Sequence, residues 1–306
     1  MKKIPVGATI AHAYRFAFGG FPALVRLAWL PLAANLVLNF TLAPQMAAIS
    51  RGITTHDFSG VTMPWPLLVP LYVVAIIATF MLFTAIFQFA LGRPEAARHR
   101  WFYFSLERPL WRMIGSLLLF ALTMAALAVV YLLAMIAISL VFGLGFHAAH
   151  MSDSAIKTVA GLDVALAGLA GYCAAIFCGV RFGFLLFPAT IALDRVALFQ
   201  SWLTSQRNFW RMLGISLAVF LPLMLVMLLG LYLVGTFPHI PPGASQAQIQ
   251  ALQQAASASA IARIQHDWYF YYPGSAIMNL LVAGLAAGAQ SFAWRALTED
   301  STSNLP

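Results

Sequence analysis

The chain alternates long apolar runs with short polar connectors. Six runs stand out, at residues 21–44, 65–91, 113–142, 158–187, 212–236 and 274–296. A helix needs about 20 residues to cross the roughly 30 Å hydrocarbon core of a bilayer. Backbone groups in lipid must be satisfied within a helix or a closed barrel. Barrel strands alternate apolar and polar positions, and these runs do not. Each run therefore predicts a transmembrane helix, and the chain as a whole predicts an all-α integral membrane protein, a single polytopic domain over residues 1–306.

The connectors carry a second pattern. HRWFYFSLERP (99–109) and RVALFQSWLTSQRN (195–208) interleave aromatic and aliphatic residues with Arg and Gln. Such segments lie in the membrane interface, apolar face in lipid and charged face toward water and phosphate. ATIAHAYRFAFGGF (8–21), with His12, Tyr14, Arg15, Phe16 and Phe18, predicts a third interfacial helix ahead of the first span. Residues 237–273 form the longest outer loop. It opens with PHIPPG, continues through a Gln/Ala/Ser-rich stretch and ends in Trp268–Tyr272. Its middle places Ile249, Leu252, Ala256 and Ile264 near one face, which predicts a weakly amphipathic helix outside the membrane. The aromatic run after it predicts an interfacial belt leading into the last span.

Composition strengthens the membrane reading. The chain is 62% hydrophobic and 8% charged, whereas soluble domains carry about 25% charged residues. The net charge of +8 then marks cytoplasmic loops and headgroup contacts rather than nucleic acid. With the N-terminus inside, Lys2, Lys3, Arg15, Arg26, Arg93, Arg98, Arg100, Arg108, Arg112, Arg181, Arg195, Arg207, Arg211 and Arg295 fall on or near the cytoplasmic side. Arg51, Lys157 and Arg263 fall opposite. Both termini are therefore expected to be cytoplasmic. Lys2 and Lys3 are followed by Pro5, Gly7, His12 and Arg15, which is not the layout of a cleavable signal, so the first apolar run is expected to remain as an anchor.

One short phrase is written twice. RPLWRMIG (108–115) and RNFWRMLG (207–214) agree at five of eight positions, 99 residues apart, each at the cytoplasmic entrance of a span. Trp111 and Trp210 would sit at headgroup depth, with Arg112 and Arg211 snorkelling to phosphates. Arg108 and Arg207 complete the two entrances as candidate headgroup contacts, and Gly115 and Gly214 would permit close helix contact. Both copies lie on the same side, so an internal repeat of helix pairs would be parallel rather than inverted.

Reactive chemistry is sparse. All seven His residues lie in connectors, and no H-E-x-x-H frame exists. HAAHMSD (147–153) would need a further carboxylate to hold a metal, so a solvated loop is expected there, with no metal and no cofactor. Cys173 and Cys178 point about 140° apart on a helix and read as core residues. Two ionisable residues fall within the fourth run, Asp163 and Arg181, forming a candidate intramembrane polar site. They stand about 27 Å apart along a helix and cannot pair with each other. Asp163 would instead meet Lys157, His147 or a polar neighbour; Arg181 would snorkel or pair with Asp194. Asn35, Asn39, Gln88, Asn279 and Gln290 are expected to bridge helices, and the small residues at 167–175 and 284–288 to allow tight contact.

The stretch RFGFLLFPATIALDRVALFQSWLTSQRNFWRMLG (181–214) resembles a broad bacterial family, the membrane-domain proteins related to the membrane portion of glycerophosphoryl diester phosphodiesterases, with their stand-alone six-helix homologues. Arg181, Pro188, Ala189, Asp194, Ser201, Trp202, Thr204, Phe209, Trp210 and Arg211 occupy the family's pattern, with Leu203 shifted relative to it. The match covers about a tenth of the chain. The resemblance implies a stand-alone membrane domain of the bacterial inner membrane, without the phosphodiesterase activity, which belongs to a separate soluble barrel. The expected function is a non-enzymatic membrane protein that interacts with lipids, anionic ones in particular, or acts as a scaffold for a protein partner or a second copy of itself. A transporter or permease subunit for a small or lipid-like solute is the alternative, supported by the repeat, Pro222 and Asp163.

Overall fold

The computed structural model describes residues 2–55, 65–93, 106–148, 153–234, 241–243 and 245–298. Among them every regular element is a helix. In chain order these are α1 (Val6–Tyr14), a π-helical turn (Arg15–Gly19), α2 (Phe21–Thr55), α3 (Trp65–Ala90), α4 (Arg108–Ala148) and α5 (Asp153–Gly183). They are followed by α6 (Leu186–Leu193), α7 (Leu198–Thr204), α8 (Phe209–Val234), α9 (Gln246–His266) and α10 (Trp268–Thr298). Six stretches are long and apolar enough to cross a membrane, on α2, α3, α4, α5 with α6, α8 and α10. They fall on the six runs expected from hydropathy.

Several helices run past the expected bounds, α2 as far as Thr55 and α4 to Ala148, and three boundaries bear on the polar segments. The fourth run breaks after Gly183 and resumes at Leu186. Pro188 has no N–H to give the Phe184 carbonyl, and its ring crowds that carbonyl, so the break falls one turn before the proline. The last helix starts at Trp268 instead of near 274, so the aromatic run forms its first turns, with Pro273 inside the helix. The third long helix begins at Arg108, which puts the first copy of the repeated phrase inside the helix rather than ahead of it. Most of the predicted interfacial segment 99–109 lies outside the described residues.

The chain divides into two compact units. The first comprises Met1–Ile4, Trp111–Leu213 and Ala293–Pro306. Its interior is built from Met113, Leu185, Leu186, Leu198 and Met212, all fully buried or nearly so. Ser116 on α4 and Thr190 on α6 share a buried hydrogen bond of 2.8 Å. On α5, Gly171 lies beneath the Tyr131 ring of α4, and the Tyr131 hydroxyl donates to the Ala167 carbonyl. Of the small residues at 167–175, Ala167 and Gly171 thus make the close contact; Gly168 has nothing within 4 Å of its Cβ position. Outside this interior, Leu118, Leu122, Val130, Leu133 and Val141 of α4 are exposed.

The second unit comprises Pro5–Leu110 and Gly214–Phe292. The expected interfacial helix at 8–21 is helical, but it is not free. Thr9, Ala13 and Ala17, spaced one turn apart, are fully buried, and α10 brings Gly284 and Gly288 against Ala13, Phe16 and Ala17. His12 stacks on Phe292 at 4.9 Å, and Phe16 meets Phe89 at 5.5 Å. On α2 and α3, Leu27, Ala85 and Phe89 pack together, and Asn35 Nδ2 bridges to Thr79 Oγ1 at 3.2 Å. The helix expected in the outer loop is α9. It packs against α2 and starts in a capping box, in which Ser245 and Gln248 satisfy each other's backbone N–H groups.

Pro222, inside α8, has no N–H for the Ala218 carbonyl one turn back. The Tyr14 hydroxyl of α1 donates to that carbonyl at 3.2 Å. A side chain from another helix thus replaces the bond that the proline removes. Tyr14→Phe should lower stability by about 1 kcal/mol, read as a lower unfolding midpoint in detergent. In a Pro222→Ala background the backbone donor returns, and the same change should cost nothing measurable. Equal costs in both backgrounds would mean that Tyr14 matters only through packing.

Candidate functional site

Both copies of the repeated phrase open long apolar helices and share one burial pattern. The tryptophans point outward, Trp111 56% exposed and Trp210 78%. The next residues, Arg112 and Arg211, are half-buried. The methionines that follow, Met113 and Met212, are completely buried. A helix turns about 100° per residue, so one exposed Trp and one buried Met two positions later fix the same rotation for α4 and α8. Arg108 and Arg207, at the head of each copy, are exposed. The glycines do not serve the expected role. Nothing lies within 4 Å of the space a Cβ would fill at Gly214, and Gly115 meets only Val196 at an ordinary 3.7 Å.

The two arginines diverge in what they hold. Arg112 Nη1 donates to Asp194 Oδ1 at 2.9 Å. Asp194 ends α6 in the left-handed region, with φ at 51°, a conformation that Asp tolerates better than most residues. That turn reverses the chain between α6 and α7 and presents the carboxylate to α4. Arg211 Nη1 donates to the Ile4 carbonyl at 2.7 Å. Beside it, the buried Asn208 accepts from the Ile4 N–H and donates to the Lys2 carbonyl, both at 3.2 Å. The second copy therefore clamps the N-terminal strand of backbone. Arg207 makes this possible by taking φ 64° between α7 and α8, which costs roughly 1–3 kcal/mol for a non-glycine residue and turns Asn208 inward. Both guanidiniums keep donors beyond these bonds.

Arg181, expected to snorkel or to pair with Asp194, bonds to α7, while Asp194 pairs with Arg112. Arg181 Nη2 donates to the Trp202 carbonyl at 3.0 Å, and its guanidinium lies 3.8 Å from the centroid of the Trp202 ring. Phe182 stacks on that indole at 4.4 Å, and Phe177 meets it edge-on. Ser201 and Ser205, both buried, aim their hydroxyls at the Arg181 carbonyl at 3.3 and 3.2 Å. Ser201 of α7 and Ser205 just after it thus turn inward onto α5, while Val196, Phe199 and Leu203, at near-helical spacing, stay exposed. The exposed face of α7 is apolar, and no charged face opposes it within Leu198–Thr204. Of the amphipathic segment expected at 195–208, only Leu198–Thr204 is helical, and the exposed Arg195 and Arg207 flank it.

Asp163 lies on α5, but its side chain is outside the described residues, as are Asn39 and most of HAAHMSD. No group of three or more metal-ligating side chains occurs among the described residues. Of the polar residues expected to bridge helices, Asn35 does so. Gln88 and Gln290 leave buried carbonyl oxygens without partners, and Asn279 is exposed. Sequence reasoning missed Asn208, although its place in the phrase, where the first copy has Pro109, was a signal that the copies differ.

Compared with family models, with curated proteins and with solved structures, the chain matches none.

Proposed function

We propose that this chain is a non-enzymatic multi-pass protein of the bacterial cytoplasmic membrane, related to the membrane-domain family that residues 181–214 resemble. In this reading it holds anionic lipid headgroups at the entrances of α4 and α8. The observation that carries the reading is the pair of outward Trp rings, each next to a guanidinium, in the first turn of a long apolar helix. Indoles favour the headgroup layer, and each basic residue near an anionic surface contributes about 1 kcal/mol. Arg112 and Arg211 anchor the entrances to Asp194 and to Ile4, so Arg108 and Arg207 supply the more accessible charge. The basic-residue bias puts both termini on the cytoplasmic side, and the shared burial pattern of the two phrases supports an internal duplication.

The test is native mass spectrometry of the full chain from nanodiscs holding phosphatidylglycerol in phosphatidylcholine. Wild type should retain phosphatidylglycerol in fixed stoichiometry. Arg108→Gln with Arg207→Gln should weaken retention about tenfold, and adding Trp111→Ala and Trp210→Ala should abolish it. Retention unchanged in the fourfold variant would remove the proposal.

A further inference from the structure

The second unit contains a cavity of about 320 Å³ between α2, α3 and α10, walled mainly by apolar side chains such as Leu32, Leu36, Phe83 and Val282, with a few polar groups among them. Asn35 and Thr79 stand on one side; Tyr272, Ser275 and Asn279 stand on the other. The last three are spaced three and four apart, so they form one stripe along α10. No lining residue is charged. Asn35 and Thr79 are already tied together, since Asn35 Nδ2 donates to both the Pro31 carbonyl and Thr79 Oγ1, and Thr79 Oγ1 donates to the Ala75 carbonyl. Ser275 and Asn279 are different. Both are exposed, and neither makes a hydrogen bond among the described residues.

Depth makes that exposure costly. Asn279 lies about 15 Å along α10 from the start of the apolar stretch at Tyr269. Asn35 and Thr79 also fall inside apolar stretches, on α2 and α3. A primary amide facing hydrocarbon has no water to pair with and costs several kcal/mol. A Leu at 279 would remove that cost, so the amide calls for an occupant. The cavity volume is at the lower end of the range for small-molecule sites. An amide offers two donors and an acceptor, and a serine hydroxyl one donor and two lone pairs. Those groups match hydroxyl and ester oxygens. With no cation or anion in its wall, the cavity offers nothing to offset burial of a phosphate.

We propose that the cavity between α2, α3 and α10 is a lateral site for the uncharged glycerol-ester end of a neutral membrane lipid, with Asn279 and Ser275 as its hydrogen-bonding residues. The lipid enters from the bilayer, because Asn279 and Ser275 open to the outside of the helices. Its acyl chains stay in the membrane, and only the hydroxyl and ester oxygens enter. The proposal rests on the reading above that the chain sits in a bilayer and handles lipids. It differs in ligand, since the Trp–Arg entrances take anionic headgroups and this cavity takes a neutral one.

The full chain is placed in phosphatidylethanolamine–phosphatidylglycerol nanodiscs with a diacylglycerol carrying a diazirine next to its ester, irradiated, digested and mapped. Label is expected to concentrate on peptides holding 272–283 and 79–83, and excess unlabelled diacylglycerol should displace it. Asn279→Leu should cut labelling about fivefold, and Ser275→Ala should cut it less. Retained phosphatidylglycerol, measured on the same samples, should not change in either variant. Label spread evenly over all the apolar helices, or unaffected by Asn279→Leu, overturns the site while leaving the Trp–Arg reading intact. Displacement by glycerol added to the water would assign the same hydrogen bonds to an aqueous polyol and overturn entry from the bilayer. Loss of phosphatidylglycerol together with the label in Asn279→Leu would show a collapsed protein rather than an emptied site, and Ser275→Ala then decides: unreduced labelling there overturns the proposal.

Discussion

A Gly288→Leu chain should lose the seat of α10 on α1 and unfold at a much lower temperature than wild type. A Cβ at position 288 would lie 3.0 Å from Phe16 Cβ, 3.1 Å from Ala13 Cα and 3.2 Å from Phe16 Cδ1. Ala13 Cα is backbone and cannot rotate away, and Ala13 itself is fully buried. Overpacking of this kind costs about 1–3 kcal/mol and occasionally more. Three further carbons in the same place should push the loss beyond the upper end. Gly214→Leu supplies the control, because nothing lies within 4 Å of its Cβ position and helix propensity favours the change by roughly 1 kcal/mol. Thermal unfolding in detergent, followed by circular dichroism, should show a clear fall in midpoint for Gly288→Leu and none for Gly214→Leu. Equal midpoints for Gly288→Leu and wild type would mean that the two helices do not approach at this glycine.

That pair of glycines also shows what the chain discloses by itself. Gly284 and Gly288 announce a small face, and the structure uses it against α1. Gly115 and Gly214 announce the same thing inside the repeated phrase, and the structure does not use it. Nothing local separates the two cases, since only the partner's backbone decides. The six apolar helices were legible because hydropathy is a sum over about 20 residues and tolerates local exceptions. The break at Phe184 was missed, because hydropathy bridges it and reads 158–187 as one run; Pro188 was the signal. The capping box at Ser245 and Gln248, which starts α9, went unread in the same way. The divergence of Arg112 and Arg211 was not legible. Their local contexts are nearly identical, but one meets Asp194, 82 positions away, and the other meets Ile4, 207 positions away. Asn279 is the opposite case. An Asn in an apolar run reads as a bridge between helices, and only the placement of α10 shows that it faces outward.

Arg181→Ala should release α7 from α5, with the second large loss of stability. The guanidinium supplies a charged donor to the Trp202 carbonyl at 3.0 Å and lies 3.8 Å from the Trp202 ring. Hydrogen bonds to charged groups contribute about 1.5–3 kcal/mol, and a partly desolvated cation over an indole contributes about 1–2 kcal/mol. The Ser205 hydroxyl, 2.9 Å from the same carbonyl, compensates in part, so a net loss of about 2–4 kcal/mol is expected. Arg181→Lys separates the two contributions. An ammonium can stay over the ring, but it is a compact point charge without the planar fork that reaches ring and carbonyl together, so Lys should recover roughly half the loss. The unfolding midpoint measures the size of the effect, and tryptic cleavage after Arg195 and Arg207, which flank α7, shows where it falls. Faster cleavage at both sites in Arg181→Ala, with an intermediate rate in Arg181→Lys, would establish that this residue holds α7 in place. If cleavage is unchanged while the midpoint falls, Arg181 supports α5 alone. An effect equal for Lys and Ala would make the fork, not the charge over the ring, the source of the stability.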